Sequence, residues 1–504
     1  MNEKKKIGII GGGIAGLSAG CYMQMNGYKT HLFEQSPSLG GVMTPWRRKG
    51  YTFDGGTEYL TGTSPQSSLY PVMNELLDVA HLQLIDFDQF MSIQLNDGTI
   101  FKVRTDAAEL EQEMLKIAAA DKGIIRQFCS AIASVSDISL PVDKTPELFT
   151  LADMLKVMAG NRKLLWFFLR WKGVSIERFA RRIRSDPLRR AVQYIFPRHE
   201  FFSMAGLLLP LGWMHMRNAG HPVGGSGTII SILRQKYESL GGTVSLNMAV
   251  DKLVIDKGRV CGIELRDGGE LPVDAAISTA DLYFNHHRLL GGKYLSPKIR
   301  KLFETKTLFP SMIQISYGIN QKLPAGYHRH LVEFEEPFTC GNDRKMKFMV
   351  VRVCDYEPGF APSGKTAVIV QLRTSDYDYW VNLRNTDMNE YRSRKMRVAE
   401  FVQQHLEMLL GFPASAVDVV DVATPATYAR YTAVYRGSYQ GWAPTPDMIG
   451  KALPKKVKGL DNFYMAGQWT DPPGGIFSAL NSGRKITQLV CTDDRKPFVV
   501  ERGR

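Results

Sequence analysis

Lys6-Ile7-Gly8-Ile9-Ile10-Gly11-Gly12-Gly13-Ile14-Ala15-Gly16-Leu17-Ser18-Ala19-Gly20 is the stretch that decides the fold. The apolar and small residues up to Ile10 predict a buried parallel strand. The glycines after them make a G-x-G-x-x-G turn, and a helix is expected from Leu17 onward. A second strand, Lys29-Thr30-His31-Leu32-Phe33, ends in Glu34. Gly11 permits the tight turn, Gly13 lets backbone approach a pyrophosphate, and Gly16 lets helix and strand pack closely. The helix N-terminus then points unpaired N–H groups and its positive dipole end at phosphates. Glu34 stands where a carboxylate accepts hydrogen bonds from a ribose. A glycine turn alone says little; strand, turn, helix and acid in this order predict dinucleotide binding.

Past Glu34 the chain does not continue into the next strand that a nicotinamide-binding unit requires. It runs through Gln35-Ser36-Pro37-Ser38-Leu39-Gly40-Gly41 and past Arg47 and Arg48 to Asp54-Gly55-Gly56. Two glycine clusters so close to a nucleotide-binding turn favour FAD over a nicotinamide dinucleotide.

The 504 residues suffice for two or three domains, and 44% hydrophobic with 22% charged residues describes a globular chain. The leading Met1-Asn2-Glu3-Lys4-Lys5-Lys6 lacks the apolar centre of a signal peptide, which predicts a cytoplasmic location. No apolar run reaches the roughly 18 residues of a membrane span. Cys21, Cys129, Cys261, Cys340, Cys354 and Cys491 are scattered without a C-x-x-C pair, so neither disulfides nor a metal site is expected. The net charge of +13 is compatible with nucleic acid, an anionic membrane surface or plain solubility.

Further along, Ile93 to Val103 reads as a hairpin about an Asp97-Gly98 turn, and Ala107 to Val135 as helix. The stretch 161–190 is strongly basic. Arg162, Lys163, Arg170, Lys172, Arg178, Arg181, Arg182, Arg184, Arg189 and Arg190 face only Glu177 and Asp186, around the aromatic block Trp166-Phe167-Phe168 with Trp171 and Phe179. Two readings stay open: an amphipathic element lying in an anionic membrane interface, or a core helix with a solvated basic face. One compact aromatic block does not suit nucleic acid, which wants spaced stacking platforms. Phe201 to Met214 is apolar throughout and reads first as core, second as the wall of a tunnel. After Pro222-Val223-Gly224-Gly225 come a helix from Thr228 to Leu240 and strands at Thr243 to Met248, Val250 to Ile255, Val260 to Arg266 and Leu271 to Ser278. Ser311 to Ile319 and Thr366 to Leu372 alternate as strands that could roof a substrate cavity. Asp461 to Gln468 is a strand running into a loop, and a helix starts near Ile476.

With both ends in view, the chain resembles the flavin-containing amine-oxidase superfamily, and within it the phytoene desaturase, carotenoid isomerase and retinol saturase branch. Four anchors carry the resemblance: Gly11 to Glu34 with Gly40-Gly41; Pro222 to Asp281; Thr424-Pro425 through Arg430-Tyr431 to Gly437; and Ala466 to Arg484. It implies an α/β fold, a Rossmann-like FAD-binding domain of the GR2 flavoprotein type with a mixed α+β substrate domain. Residues 1–85, 220–300 and 422–504 would form the FAD-binding part, and 86–219 with 301–421 the substrate and membrane-facing part. By resemblance, Gly11, Gly13 and Gly16 hold the pyrophosphate and Glu34 the adenosine ribose, with Gly40 and Gly41 beside them. Val250 meets adenine by backbone, Gly467 and Gln468 approach the ribityl-phosphate, and Ile476 presents an N–H to the flavin pyrimidine edge. Two departures weaken transfer of any single activity: Val42 follows the glycine doublet where an arginine is common, and Gln468 stands where an acid or alanine is common.

The flavin carries the redox chemistry, so no nucleophile, acid–base dyad or metal cluster is required and none is apparent. His199, His215, His221, His286, His287, His328 and His330 are scattered and read as satisfied or exposed. Trp213, Tyr431 and Trp469 are the candidates for substrate contact. The expected activity is hydride transfer at an allylic carbon–carbon bond of an apolar, isoprenoid or carotenoid-like substrate. An amine oxidase acting on a polar amine and a non-catalytic prenyl-lipid binding protein are the alternatives; no nucleic-acid partner is expected.

Overall fold

The computed structural model describes residues 4–197, 199–342 and 345–500; Met1 to Glu3 of the leading segment lie outside them. Strand β1 (Lys6–Ile10), helix α1 (Ile14–Met25) and strand β2 (Lys29–Phe33) open the chain. A five-stranded, wholly parallel sheet runs in the order 243–245, β2, β1, 275–278, 463–465. Buried on both faces, its strands are short apolar runs such as Ile7, Ile9 and Ile10 rather than alternating ones. Helix α1 packs against the helices Gly225–Ser239 and Ile476–Asp493, so both halves of the chain meet at the opening turn.

One strand expectation needs correction. Leu271 to Ser278 is two strands, Glu270–Pro272 and Ala275–Ser278. The first closes a three-stranded antiparallel ribbon with Val250–Asp256 and Arg259–Leu265. The second leaves the ribbon and lies parallel to β1. Between them Asp274 accepts the Lys6 backbone N–H at 2.7 Å and fixes the crossing. The third strand of the nucleotide-binding sheet therefore comes from far along the chain.

The second sheet has seven strands in the order 417–423, 311–319, 366–374, 345–353, 330–339, 89–94, 100–104. It is antiparallel except where 330–339 runs parallel to 89–94. Ser311–Ile319 and Thr366–Thr374 are central and buried at every residue. Helix Met388–Leu410 covers one side through Val398, Val402 and Leu406.

A helical block from 107 to 215 forms the remaining layer. The predicted single helix 107–135 is two, Ala107–Ile117 and Lys122–Ala133. Buried Asp121 interrupts it, accepting the backbone N–H groups of Arg184 and Ser185 at 3.1 and 2.9 Å. The basic stretch 161–190 is likewise three short helices, Arg162–Trp171, Ile176–Ala180 and Asp186–Tyr194, the last two capped by the Ser175 and Ser185 side chains. Phe167, Trp171, Phe179 and Leu188 point into the core. Several of the cations are spoken for: Arg190 pairs with Asp97 and Glu333, Arg181 with Glu177, Arg189 with Asp186. What reaches solvent is an apolar face across the helices Leu151–Gly160 and Arg162–Trp171, with Leu151 79%, Trp166 61% and Leu169 76% exposed. Among the described residues no helix is long and apolar enough to cross a membrane.

Candidate FAD site and substrate cavity

The opening turn is held by Glu34. Gly12 N–H donates to Glu34 Oε2 at 2.7 Å and Ser36 N–H to Oε1 at 2.8 Å, while Gly40 N–H donates to the Gly12 carbonyl at 2.9 Å. Burial raises the Glu34 carboxyl above its usual range, and these backbone donors pull against it. Each carboxylate oxygen keeps a lone pair for a hydroxyl. Gly16 serves packing alone: a Cβ there would stand 2.0 Å from the Gly11 carbonyl oxygen. Gly13 differs. Its backbone is extended (φ −78°, ψ −176°), open to any residue, and a Cβ would meet nothing nearer than the Gly40 carbonyl oxygen at 3.8 Å. The space it leaves is cavity.

A second helix N-terminus opens on the same cavity. The strand Phe463–Met465 leads into Gly467, whose N–H donates to Ser482 Oγ at 2.9 Å, and the helix Ile476–Asp493 begins after Gly475. Asp471 anchors this loop between two ammonium groups, Lys485 Nζ at 3.0 Å and Lys455 Nζ at 3.3 Å. Burial opposes ionisation of Asp471, but the two cations hold its carboxyl below the usual range. Neither Gly13 nor Gly475 offers a side chain to cap its helix, so the first-turn N–H groups of both helices are left for a ligand.

The cavity between them measures about 1340 Å³. Gly11, Gly13, Glu34, Gly40, Gly41, Val250, Gly467, Gln468 and Ile476 lie on its wall, and Gly16 lies behind the turn. The Gln468 amide donates to the Tyr439 carbonyl at 3.0 Å, tying the helix-start loop to the loop 437–441. An open groove lined by glycine backbone, with two uncapped helix N-termini and an acid at one end, fits a long dianionic dinucleotide.

The three substrate-contact candidates are not brought together. Trp213 lines the inner cavity, alongside Phe202, Leu209 and Pro210 of the apolar run. That run is both things at once: helix Met204–His215 turns Leu207, Leu208 and Leu211 into the core and Leu209, Pro210 and Trp213 to the cavity. Tyr431 sits at the Glu34 end, half exposed, its carbonyl accepting from the Gln35 and Ser36 side chains at 3.1 and 2.8 Å. Trp469 touches the cavity but is 3% exposed, packed edge-on to Trp442 at 5.4 Å.

Other expectations also change. The helix predicted from Thr228 starts earlier and spans Gly225–Ser239; at its start Ser226 N–H donates to buried Asp54 at 2.6 Å and Gly224 N–H to Glu357 at 2.8 Å. Not every histidine is satisfied or exposed. Among the described residues, His199 and His286 are buried with both ring nitrogens unpartnered, and burial pushes His286 down to about 4. His199 belongs to a polar group that the sequence reading passed over: Glu58, Arg329, Arg373 and Tyr439 share its end of the cavity. Arg373 did leave a trace, as the one charge in the otherwise uncharged strand Thr366–Thr374. Among the described residues no cluster could hold a metal ion, and no disulfide joins any of the six cysteines.

A family model described as flavin containing amine oxidoreductase matches residues 14–491. Over 508 aligned residues the chain is 24% identical to a phytoene desaturase (lycopene-forming) of Pseudescherichia vulneris, covering 97% of this chain and 99% of that protein. It is 23% identical over 515 residues to the chloroplastic prolycopene isomerase of Arabidopsis thaliana, covering 98% of this chain and 84% of that one. Wild-type putrescine oxidase bound to putrescine superposes with a TM-score of 0.60 at 12% identity, covering 97% and 99% of the two chains, a likeness of fold.

Proposed function

Since the chain belongs to the family of flavin containing amine oxidoreductases and is an FAD-dependent oxidoreductase, we propose that it transfers hydride at an allylic carbon–carbon bond of a long apolar, isoprenoid or carotenoid-like molecule. The reaction is a desaturation, a saturation or an isomerisation. The observation that carries this reading is the cavity itself: past the glycine-lined groove it continues between Phe168, Phe196, Phe202, Leu209, Trp213 and Phe309. Residues 1–85, 220–300 and 422–504 form the FAD-binding part in this reading, and 86–219 with 301–421 the substrate part. The pairing of the strand Val417–Ala423 with Ser311–Ile319 supports extending the substrate part through Ala423, two residues past that bound.

Bound FAD supplies the hydride acceptor or donor. Ile14 and Ala15 N–H groups, at the start of α1, would hold its pyrophosphate, and Glu34 its adenosine ribose. Val250 would meet adenine, Gly40, Gly41, Gly467 and Gln468 would line the linker, and the Ile476 N–H would face the flavin pyrimidine edge. The positive end of the helix Ile476–Asp493 favours the negative charge that arrives with a hydride. The apolar wall excludes water and orients the chain of the substrate. An amine is a poorer fit, because Arg329 and Arg373 put positive charge where an ammonium group would bind.

The exposed apolar face of Leu151, Leu155, Trp166 and Leu169 is the membrane contact in this account, replacing the broader stretch 161–190. Phe168, on the same helix, lines the cavity and joins that face to the interior. Arg162, Lys163 and Arg170 flank it and favour anionic lipid. Anaerobic mixing of the FAD-loaded protein with phytoene or putrescine tests the substrate class. Bleaching of the flavin band by phytoene supports the reading, and bleaching by putrescine alone refutes it.

A further inference from the structure

The inner end of the cavity holds more positive charge than its acids balance. Arg329 and Arg373 both line it and are 6% and 9% exposed. Arg329 pairs with Glu58, and its guanidinium carbon lies 4.5 Å from the centre of the Phe90 ring. Arg373 has no carboxylate partner among the described residues. Its Nη2 donates to Gln371 Oε1 at 3.1 Å, its Nη1 faces Met312 Sδ at 3.6 Å, and its Nε has no partner among those residues. The guanidinium lies 4.6 Å from the centre of the Tyr439 ring, which meets Phe309 edge-on at 5.5 Å. Phe309 in turn meets His199 at 5.5 Å, so the histidine shares the chamber.

Burial, and then the charge of Arg373, keeps His199 well below its usual pKa. A neutral imidazole adds no charge but brings one N–H donor. Burial with the neighbouring charges of Arg373 and Arg352 also pulls the Arg329 guanidinium down to about 9. Glu58 thus pairs with Arg329, and among the described residues no acid pairs with Arg373. A hydrocarbon in the chamber would leave Arg373 buried without a counter-charge, which is costly. A carboxylate brings one negative charge and two coplanar oxygens, which match the donor fork of arginine.

We propose that the long apolar substrate ends in a carboxylate held by Arg373, with His199 as a second donor. The inference rests on the hydride-transfer reading of the site and narrows its substrate class to polyene or isoprenoid acids. An anchored head group then selects which bond along the chain reaches the flavin.

Calorimetric titration of the FAD-loaded protein with linolenic acid, methyl linolenate, farnesyl phosphate and phytoene tests this. The acid should bind on the order of 10–100-fold more tightly than its ester. Arg373→Met should abolish that preference while leaving ester binding nearly unchanged, and Arg373→Lys should retain part of it. Equal binding of acid and ester to the wild-type protein overturns the carboxylate without touching the apolar cavity, and needs no variant to fold. Tighter binding of farnesyl phosphate than of the acid overturns it in favour of a phosphorylated head group. An acid preference that survives in Arg373→Met removes Arg373 from the role. Failure of all four ligands to bind sinks the cavity reading, and this inference with it.

Discussion

Gly13 and Gly16 stand three residues apart in one motif, yet alanine at each should fail for a different reason. At Gly13 the backbone is extended at φ −78° and ψ −176°, and a Cβ would find only the Gly40 carbonyl oxygen at 3.8 Å. Gly13→Ala should therefore leave the apoprotein within about 1 kcal/mol of wild type, since a compatible backbone gains from the alanine roughly what the N-cap preference loses. The new methyl projects where a pyrophosphate would lie. Overpacking of one methyl costs about 1–3 kcal/mol, which weakens FAD binding by about 5–150-fold. At Gly16 the Cβ would stand 2.0 Å from a backbone oxygen of Gly11, which cannot swing aside. Gly16→Ala should open the turn and destabilise the apoprotein by about 1–3 kcal/mol even with no cofactor present. Thermal melts of both apoproteins and fluorescence titration with FAD separate the two effects. Wild-type FAD affinity in Gly13→Ala, or an apoprotein as unstable as Gly16→Ala, would refute the assignment of Gly13 to the cofactor.

Four further outcomes follow from the packing and the charges. Lys455 is fully buried between Glu147 at 3.0 Å and Asp471 at 3.3 Å, so Lys455→Met should cost about 3–5 kcal/mol in denaturant unfolding. Burial pushes the Asp281 carboxyl from 3.8 up to about 6, against the N–H groups of Phe284 and Tyr435. Its folded pKa exceeds its unfolded one, so its contribution is most favourable below about pH 4 and is lost as pH rises to about 6. The difference in unfolding free energy between wild type and Asp281→Asn, followed across that window, should therefore fall by about 2–3 kcal/mol. Phe167→Ala should destabilise by about 3–5 kcal/mol because the ring is core. Leu151→Ser, Trp166→Ser and Leu169→Ser together should spare stability and reduce flotation with anionic vesicles, and undiminished flotation would remove the membrane contact.

The residues proposed to meet the dinucleotide were legible because their constraint is local. A tight turn, a close helix start and an acid at a strand end each act within a few positions, so Gly11 to Glu34 and Gly467 to Ile476 carry their own signature. The parallel strand Ala275–Ser278 was hidden because Leu271 to Ser278 is nearly unbroken as an apolar run. The bond from Lys6 N–H to Asp274, spanning 268 positions, marks where it divides. Asp121 broke a predicted helix for a similar reason, since its partners at Arg184 and Ser185 lie far along the chain. Arg373 reads in sequence as a charge near the end of a strand. Only the pairing of Thr366–Thr374 between two other strands puts it in the interior. Tyr431 and Trp213 looked alike as aromatic candidates for substrate contact; the fold sends one to the Glu34 end of the cavity and the other to its inner wall.

The most direct test of hydride transfer to or from a polyene is anaerobic. The FAD-loaded protein, with its flavin oxidised in one arm and chemically reduced in the other, is incubated with an apolar lipid extract of its own host and the lipids are analysed by mass and geometry. The account predicts a polyene or isoprenoid that loses two hydrogens as the oxidised flavin bleaches, gains two as the reduced flavin recolours, or changes geometry without a change of mass. A lipid pool unchanged in both arms, with the flavin bleached by an added amine, would contradict it.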